Sequence, residues 1–216
     1  MEEGLMKDHY HNTRFINDPR RLVLWQSLWR FYFSHLIEEG DTVLDLGCAY
    51  GNFINQVQAK KRIAVDRWPG FINHIEPGIE GIVADITDLS AVENASVDFA
   101  FASNVFEHMS QNDIAITLAQ LKHKLSSGGQ LVILQPNYRY CASEYFDDYT
   151  HISIWSHISL ADFLVANGYV VTKVVPRFLP LTIQSRFPVH PSLIALYLRS
   201  PVKPLAKQML LMARPR

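Results

Sequence analysis

Val43 to Phe53 reads VLDLGCAYGNF, an apolar run broken by Asp45 and followed by a loop carrying Gly47 and Gly51. Glycines just past a short buried strand let the backbone turn sharply and let a ligand come close to the main chain. Nineteen positions after Gly47, Asp66 closes a second apolar run (RIAVD, 62–66), and Asp85 follows a third (GIVA, 81–84). A carboxylate ending the second strand of an alternating α/β sheet can accept hydrogen bonds from both hydroxyls of a ribose. One just beyond the third strand is placed to accept from the exocyclic amine of an adenine. The pattern points to an adenosine-bearing ligand.

Asp45 decides which. A pyrophosphate on this loop would stand beside a carboxylate, and like charges in a partly desolvated cleft cost on the order of several kcal/mol. Ala49 also occupies the place where a pyrophosphate needs a second glycine, so a nicotinamide cofactor is disfavoured. S-adenosylmethionine has no phosphate, and its ammonium and sulfonium both favour nearby negative charge. The expected cofactor contacts are Asp45, Gly47, Cys48, Ala49, Tyr50 and Gly51 on the first loop. Asp66 and Arg67 follow from the second strand, Asp85 and Ile86 from the third, and Asn104 from the fourth. No histidine is placed beside Cys48 by the sequence, so it reads as a small packing residue in that loop rather than a nucleophile.

Methyl transfer from a sulfonium is an in-line displacement, for which alignment alone supplies roughly 7–11 kcal/mol. A hydroxyl acceptor must also lose a proton, and a positioned base adds about 10²–10⁴-fold. His108 follows the fourth strand on the rim shared with the glycine loop, and His151 lies in DDYTH beside Asp147 and Asp148. Either is a candidate catalytic base, since an Asp can hold an imidazole in the required tautomer. The DDYTH cluster also reads as a divalent-metal site or as turn chemistry, and no metal ligands are assigned. Glu107, Tyr138 and Asp148 are the expected substrate-binding residues, and Tyr138 and Tyr140, with Tyr145 and Tyr149, read either as an aromatic wall for a sugar or ring or as packing of the segment itself. QPNY (135–138) resembles the tetrapeptide of nucleic-acid amino-methyltransferases, but it follows the fifth strand instead of the fourth, and no nucleic-acid partner is expected.

These residues need a scaffold. Asp18-Pro19 is a helix start, with an N-cap followed by proline at the first helical position. Leu22, Trp25, Trp29, Tyr32 and Leu36 then recur at helical spacing, giving a helix over about 19–38 that stops at Gly40. Strands are predicted at 42–46, 62–66, 81–84, 97–102, 130–134, 169–175 and 208–214. Helices are predicted at about 51–60, 112–125, up to Asn167, and 191–200, with Ser126-Ser127-Gly128-Gly129 as a helix stop. Strands alternating with helices make a doubly wound, mostly parallel α/β sheet with helices on both faces. The alternation leaves 135–155 and 176–206 unexplained, and stretches of that size are usually lids or binding loops. One domain over 1–216, with these two as a substrate cap, is expected.

The combination DLGCAYGNF, Asp66, Asp85, SNVFEHM (103–109) and LKHKLSSGGQLVILQPN resembles the class I S-adenosylmethionine-dependent methyltransferases over about 20–175. The resemblance implies their seven-stranded Rossmann-like sheet, their cofactor, a ribose-binding role for Asp66 and an adenine-reading role for Asp85. Ala49 departs from a frequent glycine, and its methyl is expected to be tolerated at negative φ. YFDDYTHIS, SLADFLVANGY and LYLRSP resemble a bacterial methyltransferase group linked to glycan and small-metabolite modification. A small-molecule or glycan acceptor is therefore expected.

All 21 acidic residues lie at or before Asp162, while eight of the 20 basic ones follow it. Arg177, Arg186, Arg199, Lys203 and Lys207 in that basic region read as a solvated face, as a phosphate-holding set, or as a weak peripheral contact with a membrane. Two cysteines make no disulfide framework, MEEGLMKDHYHN lacks a signal-peptide pattern, and no apolar run reaches the roughly 18 residues of a span. A cytoplasmic setting is the expectation. A non-catalytic cofactor-binding protein docked through its basic end is the alternative to the enzyme.

Overall fold

The computed structural model describes residues 18–181 and 189–216. Seven strands form one sheet: β1 Thr42–Leu46, β2 Lys61–Asp66, β3 Glu80–Val83, β4 Val97–Ser103, β5 Leu125–Pro136, β6 Tyr169–Pro180 and β7 Ala206–Pro215. Their order is β3-β2-β1-β4-β5-β7-β6. The first five pair in parallel, and β7 runs antiparallel between β5 and β6. The expected doubly wound, mostly parallel α/β sheet is therefore present. The chain moves outward from β1 through β2 to β3, then returns to place β4 on the other side of β1. That reversal opens a crevice beyond the carboxyl ends of β1 and β4, the position at which such sheets bind ligands.

Alternation of side chains gives each face its own core. Leu44, Leu46, Ile63, Val65, Ala100 and Ala102 point to one face. There they meet α2 (Gln111–Lys124) and, following the one-turn helix α3 (Tyr138–Cys141) in the chain, α4 (His157–Ala166) through Ile114, Leu118, Leu121, Leu160 and Leu164. Val43, Ala64, Phe99 and Phe101 point to the other, where α1 (Pro19–Phe31) covers them. Trp25 of α1 meets Phe53 and Phe101 edge-on, both at 6.1 Å between ring centroids. The aromatic stripe of that helix is thus core packing. Asp18 caps α1 as expected, accepting from the Arg20 amide at 2.9 Å. The helix closes at Phe31, short of the predicted end, because Tyr32 leaves helical φ/ψ and a short 3₁₀ turn (Phe33–His35) follows.

Three expectations need correction. Residues 51–60 form successive turns, with a single i→i+4 bond (Asn55 to Gly51, 3.0 Å) before i→i+3 bonds at Gln56 and Val57. Phe53, Ile54 and Val57 are all buried, and Asn55 is pinned to the 74–76 segment through His74 O and the Glu76 amide. The helix predicted at 112–125 ends at Lys124, just ahead of Ser126–Gly129 as expected, but those four residues are already strand, which was predicted only from 130. They form a bulge inside β5, where the register with β4 shifts between Val97 and Phe99 and Gly128 takes φ +93°. Finally, β6 runs on to Pro180, so the irregular stretch predicted from 176 starts later. The helix predicted at 191–200 is present as α5 (Pro191–Arg199), and Arg186 lies outside the described residues.

Asp98 ties the amino-terminal ends of three strands together. Its carboxylate accepts from the Thr42 amide of β1 at 2.9 Å and from the Ser126 hydroxyl of the β5 bulge at 2.5 Å. Replacing Asp98 with Ala leaves the Thr42 amide without this acceptor and is expected to cost about 1.5–3 kcal/mol, read as a lower urea midpoint with unchanged slope.

Candidate active site

The loop after β1 is built from left-handed residues. Gly47, Ala49 and Gly51 take φ of +69°, +45° and +65°. Two of these are glycines, for which the conformation is free of steric cost. Ala49 is not, and the expectation of negative φ there is overturned. A left-handed Ala carries about 1–2 kcal/mol of strain. What holds it is Asp66, whose Oδ2 accepts from the Ala49 amide at 2.8 Å while Oδ1 accepts from the Trp68 amide at 2.8 Å. The Gly47 amide donates to Val65 O at 2.8 Å, fixing the start of the loop to the end of β2. Each Asp66 oxygen retains a second lone pair for a ligand hydroxyl. The expected ribose-binding acid therefore also shapes the loop that receives the ligand.

Asp45 lies beneath this loop, 3% exposed. Burial raises its pKa to about 8, the Asp66 charge adds to the rise, and the Ile54 amide opposes it. Without a cation nearby Asp45 is therefore largely protonated at neutral pH, and a cationic ligand would favour its ionised form. Cys48 is buried and its thiol is driven far upward by burial and then by Asp45 and Asp66, so it is a packing residue. Tyr50 packs against Trp68 (5.1 Å) and His74 (4.7 Å), giving the crevice an aromatic side. Asp85 is exposed and folds its Oδ1 back onto the Thr87 amide and hydroxyl. Ile86 is buried among core residues, and Arg67 is exposed at the carboxyl end of β2.

The facing wall comes from the turn after β4. Asn104 is exposed and left-handed at φ +53°, held by its amide to Leu134 O at 2.8 Å. A Cβ on Gly47 would lie 2.7 Å from Val105 Cγ2, so the two loops are in direct packing contact. Glu107 and His108 follow in a 3₁₀ turn (Phe106–His108). The 145–153 segment is stitched onto that turn. Glu107 O accepts from the Ile152 and Ser153 amides at 2.9 and 3.1 Å, and the Ser153 hydroxyl donates to Met109 O. This brings His151 against His108, with ring centroids 4.8 Å apart. His108 Nδ1 faces Thr150 O at 3.2 Å and Thr150 Oγ1 at 2.9 Å, and that hydroxyl donates to Asp148 Oδ1 at 2.6 Å.

Glu107 is fully buried, and neither carboxylate oxygen has a hydrogen-bond partner. Burial raises its pKa to about 8. Burial, with His151 beside it, lowers that of His108 to about 4. For Asp148 burial acts upward, but the two bonds from Thr150 and the adjacent histidines outweigh it and hold the carboxyl below its ordinary value. Tyr138 is half-buried against Tyr145 and Phe146, and Tyr145 is fully buried with its hydroxyl on Ser153 O. Much of the predicted aromatic wall is thus the packing of the segment itself, with Tyr149 left exposed.

Four sequence candidates, Glu107, His108, Asp148 and His151, come together. Two residues were missed. Thr150 links Asp148 to His108, and only its place between Asp148 and His151 in DDYTH hinted at it. Gln135 is fully buried with both amide atoms unpartnered, and nothing in the strand pattern flagged it. Among the described residues, three of the basic carboxyl-terminal set are engaged separately within the fold. Arg177 stacks on Tyr140 and donates to Ala206 O, Lys203 caps the carbonyls of Tyr197 and Leu198, and Lys207 pairs with Glu144 at 2.5 Å.

A family described as a methyltransferase domain matches residues 19–174. The chain belongs to this methyltransferase family. It is an S-adenosylmethionine-dependent enzyme of the class I fold, as the loop and its acids indicated. Solved structures share the fold. An Archaeoglobus fulgidus S-adenosylmethionine-dependent methyltransferase is 20% identical with TM-score 0.66, covering 95% of this chain and 97% of that one. A Haloferax volcanii methyltransferase in complex with the activator Trm112 is 17% identical with TM-score 0.64, covering 99% and 92%. A geranyl diphosphate methyltransferase bound to S-adenosylmethionine is 18% identical with TM-score 0.62, covering 88% and 85%. No match was found among curated proteins. Among the described residues, no helix is long and apolar enough to cross a membrane.

Two substitutions check the loop. Changing Ala49 to Gly removes the left-handed strain and is expected to raise stability by about 0.5–1 kcal/mol. Changing Gly47 to Ala introduces the Val105 clash and strain, costing about 1–3 kcal/mol, and a Val105→Ala partner substitution recovers the steric part. Thermal melts of the ligand-free methyltransferase read both.

Proposed function

We propose that this methyltransferase acts on a hydroxyl of a small metabolite or glycan held between the glycine loop and the 138–153 segment. The observation that carries this reading is the contact of Gly47 with Val105, which sets the acid-shaped loop beside the Glu107–His108–His151 cluster. S-adenosylmethionine supplies an electrophilic methyl group on a sulfonium. The chain's residues fit it: three left-handed positions open the backbone, Asp66 keeps acceptor lone pairs for a ribose, and Asp45 supplies negative charge without a competing phosphate site. Asp85, Tyr50 and Asn104 line the reach of the same cleft. Residues 138–153 would act as the substrate cap, with Tyr138 and Asp148 on its acceptor side. A neutral imidazole, His108 or His151, would take the hydroxyl proton.

A second reading has one observation in its favour. Leu193 and Leu196 of α5, with Val202 and Leu205 beyond it, are exposed next to Arg199 and Lys203. An apolar and basic edge of that kind suits weak docking on a membrane surface or protein partner, with or without turnover.

Calorimetric titration with S-adenosylhomocysteine tests the cofactor site, with NAD as comparator. Tight binding of the first only, weakened at least about tenfold in Asp66→Ala, is expected from the loss of charge-assisted bonds. Failure of well-folded protein to bind would overturn the proposed site. Affinity should also depend on pH. Asp45 must release its proton to meet a cation, so affinity for S-adenosylmethionine is expected to rise as pH approaches about 8 and level off above it. Titrations in two buffers of different ionisation heat would show the released proton below pH 8, and Asp45→Asn would flatten the profile.

A further inference from the structure

We infer that Glu107, His108 and His151 form a binding site for one divalent first-row transition-metal ion at the acceptor side of the cleft. One ligating atom from each of the three lies within 4.8 Å of the other two. Donors around an ion at bond lengths of about 2.1 Å stand roughly 3–3.5 Å apart, so small side-chain rotations close the set. Two imidazoles and a carboxylate are a recurrent ligand set for such ions, and they leave coordination positions open.

The surroundings of the two rings carry the inference further. His151 Nδ1 lies 2.6 Å from Tyr145 O, and a carbonyl only accepts, so that nitrogen bears the proton. His108 Nδ1 faces Thr150 O and Thr150 Oγ1, and the Thr150 hydroxyl directs its own hydrogen to Asp148. Both contacts require a donor at Nδ1. Both rings are thus fixed in the tautomer that leaves the lone pair on Nε2, the arrangement in which metal-ligating histidines are held by carbonyls behind them. Glu107 supplies what neutral imidazoles lack. Its carboxyl is fully buried, and both oxygens are without a hydrogen-bond partner. Leaving a buried polar group so is costly, and an ion bound between it and the rings removes that cost.

Coordination changes the job of the histidines. A lone pair holding an ion cannot also take the acceptor's proton, but an acceptor oxygen bound at an open position would have its hydroxyl acidified by the ion, so that the proton passes to solvent water and the oxygen then takes the methyl group as the thioether leaves. That role rests on the proposed methyl transfer to a hydroxyl. Binding of the ion does not.

The test titrates tag-free, chelator-treated full-length protein with cobalt(II), followed by calorimetry and by the visible absorption of the bound ion, with magnesium as comparator. One saturable cobalt site is expected, weakened at least about tenfold in His151→Ala and in Glu107→Gln. Thr150→Val, which removes only the hydroxyl behind His108, should weaken it about tenfold, and the exposed His35→Ala should leave it unchanged. Absence of saturable cobalt binding by folded wild-type protein overturns the inference, whatever the variants do. So does equal binding by the folded His151 and Glu107 variants. A parallel titration with S-adenosylhomocysteine separates the two claims. Binding of S-adenosylhomocysteine without cobalt binding sinks only the metal site, and the reverse result sinks only the cofactor site.

Discussion

The carboxylate of Asp66 is the constraint on which the cleft depends. Its two oxygens hold the amides of Ala49 and Trp68, joining the loop after β1 to the turn after β2. A loop with three left-handed residues is not stable on local preference, and one of them, Ala49, opposes the conformation outright. Charge-assisted bonds of this kind are about twice as strong as neutral ones, enough to offset strain of that size. The same group is the expected partner of the ligand's ribose. Substitution at Asp66 therefore acts on the shape of the loop as well as on contact with the ligand.

The opposite wall uses main-chain bonds for the same end. Glu107 O takes two amides from Ile152 and Ser153, and Ser153 returns a hydroxyl bond to Met109 O. These bonds bring a segment some forty residues downstream against the turn after β4. They do so at a cost. Glu107, Gln135 and the Trp155 indole nitrogen are buried without partners, and each such group costs about 1–3 kcal/mol. Glu107, in the turn after β4, and Gln135, near the carboxyl end of β5, lie at the end of the sheet where such folds bind ligands, and a bound polar group there would remove part of that cost.

The architecture was legible because it rests on periodicity. Strands buried on both faces read as short apolar runs, and all seven fall close to their predicted places. The acids at strand ends were legible too, since the topology alone puts Asp45, Asp66 and Asp85 on one rim. What escaped was set by tertiary contact. Residues 51–60 carry helix-compatible residues, yet Asn55 is tied through its side chain to the 74–76 segment and the stretch closes into tight turns. Ala49 was expected at negative φ, because nothing in its own identity reveals the grip of Asp66 from a neighbouring strand. The Ser-Ser-Gly-Gly stretch signals a turn in sequence and serves as a bulge in space, since Val97 O sits where a Cβ at Gly129 would need to be. Pairing of His108 with His151 lay beyond sequence because backbone bonds to the Glu107 carbonyl, not side-chain spacing, create it.

The contact of Gly47 with Val105 makes the two walls one device. Val105 stands two residues before Glu107, and Gly47 stands two residues after Asp45. Any shift of the glycine loop toward a ligand must be accommodated at Val105, and from there the displacement enters the turn that holds Glu107 and His108. Packed interiors pass on small displacements because they have little free volume to absorb them. The charge states on the two sides have a shared origin as well. Asp45 and Glu107 are both carboxyls kept out of water, with pKa values pushed to about 8, so each is poised to ionise only when positive charge arrives beside it. With Asp66 and Asp148 already ionised, one on each wall, these two buried carboxyls add further negative charge as cations enter, which favours cationic ligands.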